Sequence, residues 1–543
     1  MNTRSSAGAA VQGGVERGEP MAGPEAGGAV PASGAKPPFG GVLDDFARRQ
    51  ALATGLGSAA ALARRAEAGW LDARARIDAL CDTGSFTEFG AFAYSGDDPA
   101  HTPADGKITG YGMIDRRPVT VVSNDFTVKG ASSTIVNGRK IAQAKRVATE
   151  RGMPLVLLGE SSGARIPEGM GAAGMGASGS DPHQYLRGRE TPWAAAVLGQ
   201  CYGSSSWYTV LSDFRVMRKG AQMSVSSARL VQQATGAVVD AESLGGWKLH
   251  AEVTGLVDQV VESDEAALEA IRRFLSYLPG HAGEAPPKAA VPAGSGSEMA
   301  NVLSLLPESR TRVYDMKKIV RALVDLDSLF ELKPSFGKTA ITALARLDGR
   351  SVGIIASNPL HKGGALDVAA CRKITSFLVL CDSFNIPIIN LVDVPGFQIG
   401  LDAELQGAPA RIMNYMMALQ AVTVPKLTVI LRKVYGQAYL NVGGGRNSDE
   451  MILWPTAEIG FMAPGAAVAV VYGLAPGDPG FEAKLAELER ETNPWTMAGN
   501  FAAQHVIHPA QTRELLIRLL DAHQLRRSGG VGEHRLANWP SYL

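Results

Sequence analysis

The sequence predicts an α/β protein built from two copies of one domain. Two observations lead to this prediction. The segment that begins at Lys107 resembles the segment that begins at Ala340, and the similarity continues along the chain at one constant offset. Within each copy, runs typical of β-strands alternate with helical runs, which is the pattern of a largely parallel sheet with helices on its faces.

The offset between the two copies is 233 residues, the separation of Ile108 and Ile341. The same offset aligns further identical residues without a gap: Asp115 with Asp348, Arg117 with Arg350, Val119 with Val352, Lys129 with Lys362, Arg139 with Arg372, Lys140 with Lys373, Pro154 with Pro387, Gly163 with Gly396 and Gly203 with Gly436. Chance does not hold one register over so long a stretch, so the sequence indicates a duplicated domain.

Each copy is predicted to run strand, strand, loop, helix, strand, loop. Residues 117–125 and 350–358 are typical of β-strands, and residues 137–152 and 370–385 are typical of amphipathic helices. Residues 153–160 and 386–393 are short, continuous apolar runs, as expected of buried parallel strands.

The length of 543 residues exceeds what one ordinary core holds, so two domains are expected. Residues 1–38 are mostly Ala, Gly, Pro and Ser, which predicts a disordered tail. A second low-complexity stretch predicts a linker at residues 281–300. The first domain is therefore expected at residues 39–280 and the second at residues 301–543.

The composition excludes several classes of function. Lys plus Arg and Asp plus Glu are equal at 53 each, which gives no overall attraction to nucleic acid or an anionic membrane. The chain has no apolar run of the ~18 residues that a membrane span needs and no hydrophobic signal core, so a cytoplasmic protein is expected. The four cysteines form no C-x-x-C pair and are predicted to be reduced and buried. His505 and His508 have no acidic or Cys partner at ligand spacing, so no metal site is expected.

One motif suggests a serine hydrolase. Residues 159–163 fit G-x-S-x-G and follow a predicted buried strand, which is the nucleophile-elbow pattern. The equivalent residues 392–396 contain no serine. The two loops share only an acid, a turn and a glycine, so we interpret both as tight turns that expose backbone N–H groups.

Two glycine loops, around Gly203 and Gly436, follow predicted strands at equivalent positions. Small residues after a strand let the backbone approach a ligand, and adjacent N–H groups can bind a carbonyl oxygen that becomes an enolate. The same glycines can also serve only to permit close packing. Spacing alone leaves both interpretations open.

Basic residues cluster near the first predicted helix. A nucleotide phosphate could bind among them, but a solvated helix face is the more common explanation for such a set: Lys129, Arg139, Lys140, Lys145 and Arg146. The sequence contains no G-x-x-x-x-G-K-[ST] loop, hence no sign of ATP hydrolysis.

Several motifs resemble the carboxyltransferase subunits of biotin-dependent acyl-CoA carboxylases, of the propionyl-CoA, acetyl-CoA and methylcrotonyl-CoA types. They cover about residues 40–525 and include residues 73–90, 110–132, 161–169, 384–400 and 421–439, with "VDVPGF" and "RKVYGQAY" the most specific. The resemblance implies a tandem pair of crotonase-like domains. It also implies assembly into rings, typically hexamers, with each site between the first domain of one subunit and the second domain of another.

The resemblance also implies roles for individual residues. Gly203 and Ser204 would hold the acyl-CoA thioester oxygen as an enolate, and Gln437 and Ala438 would hold the ureido oxygen of biotin. Further substrate-binding positions implied by the resemblance are Lys129, Ala131, Arg139, Ser162, Gly163, Ala164, Arg165, Tyr435 and Leu440. Leu440 corresponds to the position that tunes acyl-chain length in the family, and an apolar residue there disfavours a charged acyl tail.

The chain departs from the family at both loops. Ser204 and Gln437 stand where glycines are usual, as does Ser162, and residues 169–190 are unlike the family's usual sequence. No Met-Lys-Met biotin-attachment motif occurs, so biotin is expected on a partner carrier, with biotin carboxylase a separate chain. Two alternatives stay open: a decarboxylase or transcarboxylase component on the same fold, and a non-catalytic scaffold subunit.

Overall fold

A computed structural model describes residues 39–96, 102–169, 171–176, 179 and 181–540. The described residues divide into two compact units at Arg48 and Arg49. In the first unit, residues 39–48 form a turn and the start of a helix (α1, Gly40–Ala53). The predicted disordered tail, residues 1–38, lies outside the described residues. Within the described ranges, no helix is long and apolar enough to cross a membrane.

The first sheet has eight strands in the order β1-β2-β3-β4-β5-β6-β8, with β7 also paired to β5. The β1–β2 and β2–β3 pairs are antiparallel and the remaining pairs are parallel. The strands are β1 (Thr87–Phe89), β2 (Lys107–Ile114), β3 (Arg117–Asn124), β4 (Leu155–Ser161), β5 (Trp193–Tyr202), β6 (Phe214–Arg218), β7 (Gln222–Ser224) and β8 (Gln259–Val261). All of β4 is buried, which explains its continuous apolar start.

The second sheet repeats this plan in the order β16-β14-β13-β12-β11-β10-β9, with β15 paired to β13. Its β9–β10 and β10–β11 pairs are antiparallel and its other pairs are parallel. The strands are β9 (Phe330–Leu332), β10 (Ala340–Leu347), β11 (Arg350–Ser357), β12 (Ile388–Val394), β13 (Lys426–Tyr435), β14 (Glu450–Leu453), β15 (Glu458–Gly460) and β16 (His505–Val506).

Helices accompany both sheets. Those before residue 280 are α2 (Ala59–Glu67), α3 (Ala73–Leu80), α4 (Ile135–Arg151), α5 (Ile166–Gly169), α6 (Gly171–Gly176), α7 (Pro182–Tyr185), α8 (Ser204–Leu211), α9 (Ala228–Thr235), α10 (Ala241–Gly245) and α11 (Asp264–Ser276). Those after residue 300 are α12 (Met316–Leu323), α13 (Val368–Ser383), α14 (Leu401–Leu405), α15 (Ala408–Ala421), α16 (Gln437–Asn441), α17 (Pro464–Tyr472), α18 (Phe481–Glu491), α19 (Pro494–Gly499) and α20 (Thr512–His523).

The two longest crossover helices begin at equivalent residues. Thr134 caps α4 by accepting from the N–H of Asn137, whose side chain accepts in return from the N–H of Thr134. Asp367, 233 positions later, caps α13 by accepting from the N–H of Ala370. The predicted α/β duplication is therefore confirmed at the level of sheets, helices and caps.

Aromatic and ionic contacts join the halves. The ring of Phe330 in β9 lies 5.6 Å from Phe214 and 6.0 Å from Tyr277, both from the first half. Lys333 forms an ion pair with the buried Asp258 at 3.1 Å. These contacts make one continuous core from residues of both sheets.

The carbonyl end of α11 is bound from both halves. Arg117 at the start of β3 donates to the carbonyl oxygens of Leu275 (2.9 Å) and Leu278 (2.7 Å). Arg346 in β10 donates to that of Ser276 at 2.8 Å. Cations are favourable at this end of a helix because its last carbonyl groups lack partners within the helix.

The predicted linker runs along both halves. Ala282 donates its N–H to Glu190 (2.8 Å) and Ala289 donates to Gly349 (2.9 Å). All strands of the first sheet lie within residues 39–280 and all strands of the second within residues 301–543. The bounds themselves remain predictions. The four cysteines are buried and unpaired, and their predicted burial is confirmed: Cys81, Cys201, Cys371 and Cys381.

Candidate active site

Gly203 and Gly436 occupy the same place in the two halves. Each follows the last residue of a central strand, β5 or β13, and each is the residue before a helix, α8 or α16. Their backbone angles are nearly the same, φ 61° and ψ −129° for Gly203 and φ 61° and ψ −148° for Gly436. This region is accessible almost only to glycine, so both glycines are required by the turn.

The backbone N–H groups at each turn differ in whether they have an acceptor. Gly203 donates its own N–H to Val225 (3.2 Å) and Gly436 donates to Gly460 (3.0 Å), which ties each turn to a neighbouring strand segment. In the part of the chain that the structure describes, no acceptor is bonded to the first two N–H groups of α8 or of α16. Free N–H groups at a turn of this kind can bind an oxyanion.

A second loop approaches the first turn. A methyl group at Gly203 would lie 3.9 Å from the Cα atom of Gly163, which itself has φ 96°. Ser133 donates its N–H to Gly163 (2.8 Å) and accepts from the N–H of Arg165 (2.9 Å). This bridge leaves the N–H of Ala164 between them unbonded within the described ranges. The first site therefore gathers Gly163, Ala164, Gly203 and Ser204.

The second half repeats the bridge between Leu366 and Phe397. Leu366 donates to Gly396 (3.0 Å) and accepts from the N–H of Gln398 (2.8 Å). Gly396 has φ 134°, and a methyl group there would lie 4.0 Å from the carbonyl oxygen of Tyr435. Two loops therefore converge in each half in the same way.

The side chains beside the turns differ between the halves. In the first half, Ser204 Oγ lies 3.1 Å from Ser133 Oγ, and Ser205 Oγ lies 2.9 Å from the hydroxyl of Tyr208. Burial raises the pKa of Tyr208 to about 12, so this hydroxyl stays protonated. The first site is lined by neutral hydroxyl groups.

In the second half, amides and a carboxylate take these places. Gln437 Nε2 donates to Asn441 Oδ1 at 3.2 Å. The Tyr435 hydroxyl donates to Glu458 at 2.9 Å, and Glu458 also pairs with Arg310 at 2.7 Å. Burial, and the Glu458 carboxylate after it, raise the pKa of Tyr435. Leu440, on the same short helix, is half-buried.

The serine of the hydrolase-like motif is held by the backbone. Ser161 is buried, its Oγ donates to the carbonyl oxygen of Ala131 (3.0 Å), and it accepts from the N–H of Gly163 (3.2 Å). The acids of the two loops are buried in ion pairs: Glu160 with Arg65 at 2.9 Å, and Asp393 with Arg432 at 2.9 Å. The arrangement fits a turn and gives Ser161 no base.

The solvated-face interpretation is wrong for two residues of the basic set. Lys140 and Lys145 are buried. Lys140 donates to the carbonyl oxygens of Ala104 (2.9 Å) and Lys107, and burial lowers the pKa of its ammonium group to about 8. Lys145 pairs with Asp181. A helix face that packs against carbonyl groups buries cations as well as apolar residues, which residue type alone does not reveal.

The other predicted substrate-binding residues of the first half differ in their exposure to solvent. Lys129, Arg139, Ser162 and Ala164 are exposed, so ligands can reach them. Arg165 is buried and paired with Asp105 at 2.8 Å.

Ala131 is also buried. Its carbonyl oxygen accepts from Lys107 Nζ at 2.7 Å. Burial lowers the pKa of Lys107 to about 7. Arg165 and Ala131 therefore shape the first loop from within the protein.

Four residues beside the turns are not predicted from the sequence: Ser133, Tyr208, Asn441 and Glu458. The offset of 233 would have flagged Tyr208 and Asn441, because they lie four residues after Ser204 and Gln437 in equivalent helices. Among the residues that the structure describes, no group of three or more His, Cys, Asp or Glu side chains could hold a metal ion.

The sequence profile of the family described as Carboxyl transferase domain matches residues 64–528. The chain belongs to this carboxyl transferase family. The suspected family is therefore confirmed, and the chain is classed with enzymes.

Curated relatives agree with this assignment. The methylmalonyl-CoA decarboxylase subunit alpha of Veillonella parvula is 35% identical over 469 residues, covering 83% of this chain and 90% of the relative. The propionyl-CoA carboxylase carboxyltransferase subunit of Haloferax mediterranei is 35% identical over 495 residues, covering 88% and 94%.

A solved relative supports the fold of the carboxyl transferase chain. The transcarboxylase 12S crystal structure, described as a hexamer assembly with methylmalonyl-CoA and methylmalonic acid bound, superposes with a TM-score of 0.83 at 31% identity. It covers 90% of this chain and 96% of the solved chain. The predicted tandem of crotonase-like α/β domains is confirmed.

Proposed function

We propose that this chain moves a carboxyl group between biotin carried on a partner protein and the α-carbon of an acyl-CoA. One observation carries the proposal: Gly203 and Gly436 form equivalent turns, each with unbonded N–H groups after it. A transfer between two carbonyl compounds needs two such sites, because each compound develops negative charge on its oxygen.

The first turn is assigned to the acyl-CoA. The N–H groups of Ser204 and Ala164 would bind the thioester oxygen and stabilise the enolate that forms when the α-proton leaves. Lys129 and Arg139 are exposed cations, and we assign them to the phosphates of coenzyme A. No side chain of the first site has to act as an acid or base, which agrees with its neutral hydroxyl lining.

The second turn fits the ureido group of biotin. A methyl group at Gly436 would come within 3.2 Å of the carbonyl oxygen of Phe461, so the turn is too narrow for a side chain at that position. The N–H groups of Gln437 and Ala438 would hold the ureido oxygen. The chemistry supplied by carboxylated biotin at this site is a carboxyl group for the α-carbon and a nitrogen for its α-proton. Orienting that group and excluding water are the tasks of this chain.

Leu440 supports an apolar acyl group. It is half-buried beside Gly445, where an added methyl group would lie 2.6 Å from Leu440 Cδ2. An apolar side chain at the predicted acyl-length position offers no partner for a charged acyl tail, so uncharged acyl groups are the proposed substrates.

Exposed apolar helices support a shared site in a ring of subunits, as the hexameric transcarboxylase relative suggests. None of the residues of α9 is buried, and its Leu230 is exposed. Phe461, whose carbonyl oxygen lies beside Gly436, is exposed as well, and so are Val470 and Val471 of α17. Contiguous exposed apolar residues mark protein interfaces. We propose that the first domain of one subunit meets the second domain of another here, as in a hexamer.

Affinity purification from native cells tests the proposal. We expect a biotinylated protein and a biotin carboxylase to co-purify. The complex should carboxylate propionyl-CoA or acetyl-CoA when supplied with ATP and bicarbonate. Labelled bicarbonate would be followed into the acid-stable acyl product. A pure chain with no biotinylated partner and no carboxyl exchange would contradict the proposal and favour a scaffold.

A second candidate is a decarboxylase component, favoured by the two methylmalonyl-CoA decarboxylase relatives, at 35% and 34% identity. Both functions would use the same two turns in opposite directions. The partner decides between them: release of carbon dioxide from methylmalonyl-CoA without ATP, together with a biotin carrier but no biotin carboxylase, would favour the decarboxylase.

A further inference from the structure

The side chains of the two halves differ at two equivalent positions of α8 and α16. Ser204 and Tyr208 are the first and fifth residues of α8, and Gln437 and Asn441 are the first and fifth residues of α16. In the first half these are hydroxyl groups, and the Tyr208 hydroxyl is hydrogen-bonded within the helix to Ser205. In the second half they are amides bonded to each other. The duplicated turns have therefore acquired different side-chain chemistry.

The orientation of the Gln437 amide follows from its partners. Asn441 is fully buried, and its Nδ2 donates to the carbonyl oxygen of Ile412 at 3.2 Å. Its Oδ1 is therefore the acceptor for Gln437 Nε2. This fixes Gln437 Oε1 as the free end of an exposed side chain, and no donor in the described part of the chain is bonded to it.

The second turn thus presents donors and an acceptor together. The N–H groups of Gln437 and Ala438 are donors without acceptors within the described ranges, and Gln437 Oε1 is an acceptor with both lone pairs available. A ureido group is the complement, because its carbonyl oxygen accepts and its two flanking N–H groups donate. A thioester has a carbonyl oxygen but no neighbouring donor. The first half, with hydroxyl groups at these positions, offers no such fixed amide acceptor.

We propose that Gln437 selects biotin by accepting a hydrogen bond from a ureido N–H through Oε1, while the backbone N–H groups hold the ureido oxygen. Asn441 is a positioning residue that turns the Gln437 amide to face the ligand. This proposal rests on the assignment of the second turn to biotin in the proposed function. It adds a side-chain contact that distinguishes the two substrates at otherwise equivalent turns.

Binding of free biotin derivatives tests the proposal without turnover. Dissociation constants would be measured by NMR titration of the assembled full-length protein with biocytin, and with two derivatives that each carry a methyl group on one ureido nitrogen. We expect one derivative to bind about tenfold more weakly than biocytin to the wild type, since it lacks the donor that Gln437 accepts. In Gln437→Met this ratio should fall to near one.

Two further variants sharpen the experiment. Gln524→Met replaces an exposed glutamine after α20 in the same half and should keep the wild-type ratio. Gln437→Glu keeps an acceptor in place and should keep most of the discrimination. An unchanged ratio in Gln437→Met would overturn the role of Gln437 and leave the proposed function standing. Absence of any biocytin binding to the wild type would overturn both.

Discussion

The hydroxyl oxygens of Ser133 and Ser204 lie 3.1 Å apart, although the two residues are 71 positions apart in the sequence. Ser133 belongs to the loop before α4, and Ser204 begins α8. Ser133 also forms a β-bridge with Ala164. The contact between Ser133 and Ser204 therefore joins the loop of Ala164 to the turn at Gly203. The relative position of the two proposed donors to the thioester oxygen depends on this contact.

Ser133→Ala should lower kcat/KM for carboxyl transfer about fivefold, because one hydrogen bond worth about 1 kcal/mol no longer positions the Ser204 turn. The thermal midpoint should change little, since Ser133 is only half-buried. Steady-state kinetics with varied acyl-CoA check this. Ser304→Ala, at an exposed serine whose hydroxyl donates to the carbonyl oxygen of Asn301, is the control. Equal kcat/KM in both variants would contradict the role of Ser133.

Gly203→Val should abolish carboxyl transfer, with a loss of about a hundredfold or more, because a side chain cannot adopt the backbone angles that place the oxyanion donors. Gly84→Val provides a matched control. Gly84 also has positive φ (70°), and a methyl group there meets nothing within 4 Å. Both variants should lose roughly 1–2 kcal/mol of unfolding free energy through backbone strain.

The two glycine variants are compared by kinetics and by gel filtration. Only Gly203→Val should lose activity, and both should keep the assembled state. Normal turnover in Gly203→Val would rule out the first turn as the enolate site.

Arg76→Met should destabilise the first half strongly. The Arg76 guanidinium is fully buried and pairs with Asp264 (2.8 Å) and Glu160 (3.1 Å). Removing it leaves carboxylates buried beside fewer cations, which costs about 3–5 kcal/mol. Arg146→Met, which breaks the exposed pair with Glu150, should cost less than about 0.5 kcal/mol. Urea unfolding followed by fluorescence compares them, and similar midpoints would contradict the prediction.

Lys373 should make stability depend on pH. Burial lowers the pKa of its ammonium group to about 7 in the folded chain, against about 10.4 when unfolded. Between these values the unfolded chain holds a proton that the folded chain has released, so stability rises with pH, by at most about 1.4 kcal/mol per unit. Below about pH 7 both states are protonated and the penalty is constant.

Lys373→Met removes this dependence. Its urea midpoint should exceed that of the wild type by a constant, maximal amount below about pH 7, and the difference should shrink as the pH approaches 10. Lys318→Met, at an exposed lysine of α12, should follow the wild type at every pH. A constant difference between Lys373→Met and the wild type would show that Lys373 titrates normally.

Much of the fold could be predicted because duplication leaves a periodic record in the sequence. The register that aligns Ile108 with Ile341 also aligns the antiparallel partners of these residues, Ser123 and Ala356. The same register aligns both glycine turns, Gly203 with Gly436. Their roles in holding substrate oxygens remain proposals, supported by unbonded N–H groups.

The surroundings of the turns could not be predicted in the same way. The sequence predicts Lys140 to be a solvated cation. In the fold its side chain is buried and its ammonium group donates to backbone carbonyl oxygens. Arg165 is predicted to bind substrate. In the fold it is buried and paired with Asp105, sixty residues earlier in the sequence. Such pairings depend on loops that meet only in the folded chain. Ser133, whose partner Ser204 lies 71 positions away in the sequence, escaped notice for the same reason.

The binding of the carbonyl end of α11 by Arg117 and Arg346 has a mechanical consequence. One helix end is held by cations from both sheets, and the rings of Phe214, Tyr277 and Phe330 fill the seam beside it. A hinge needs an interface that can open at a low cost in free energy. Opening this interface would expose aromatic rings to water and leave two guanidinium groups without their carbonyl acceptors. We therefore expect the two halves to move as one rigid frame, so that in the proposed function the biotin carrier, and not this chain, would cover the distance between sites.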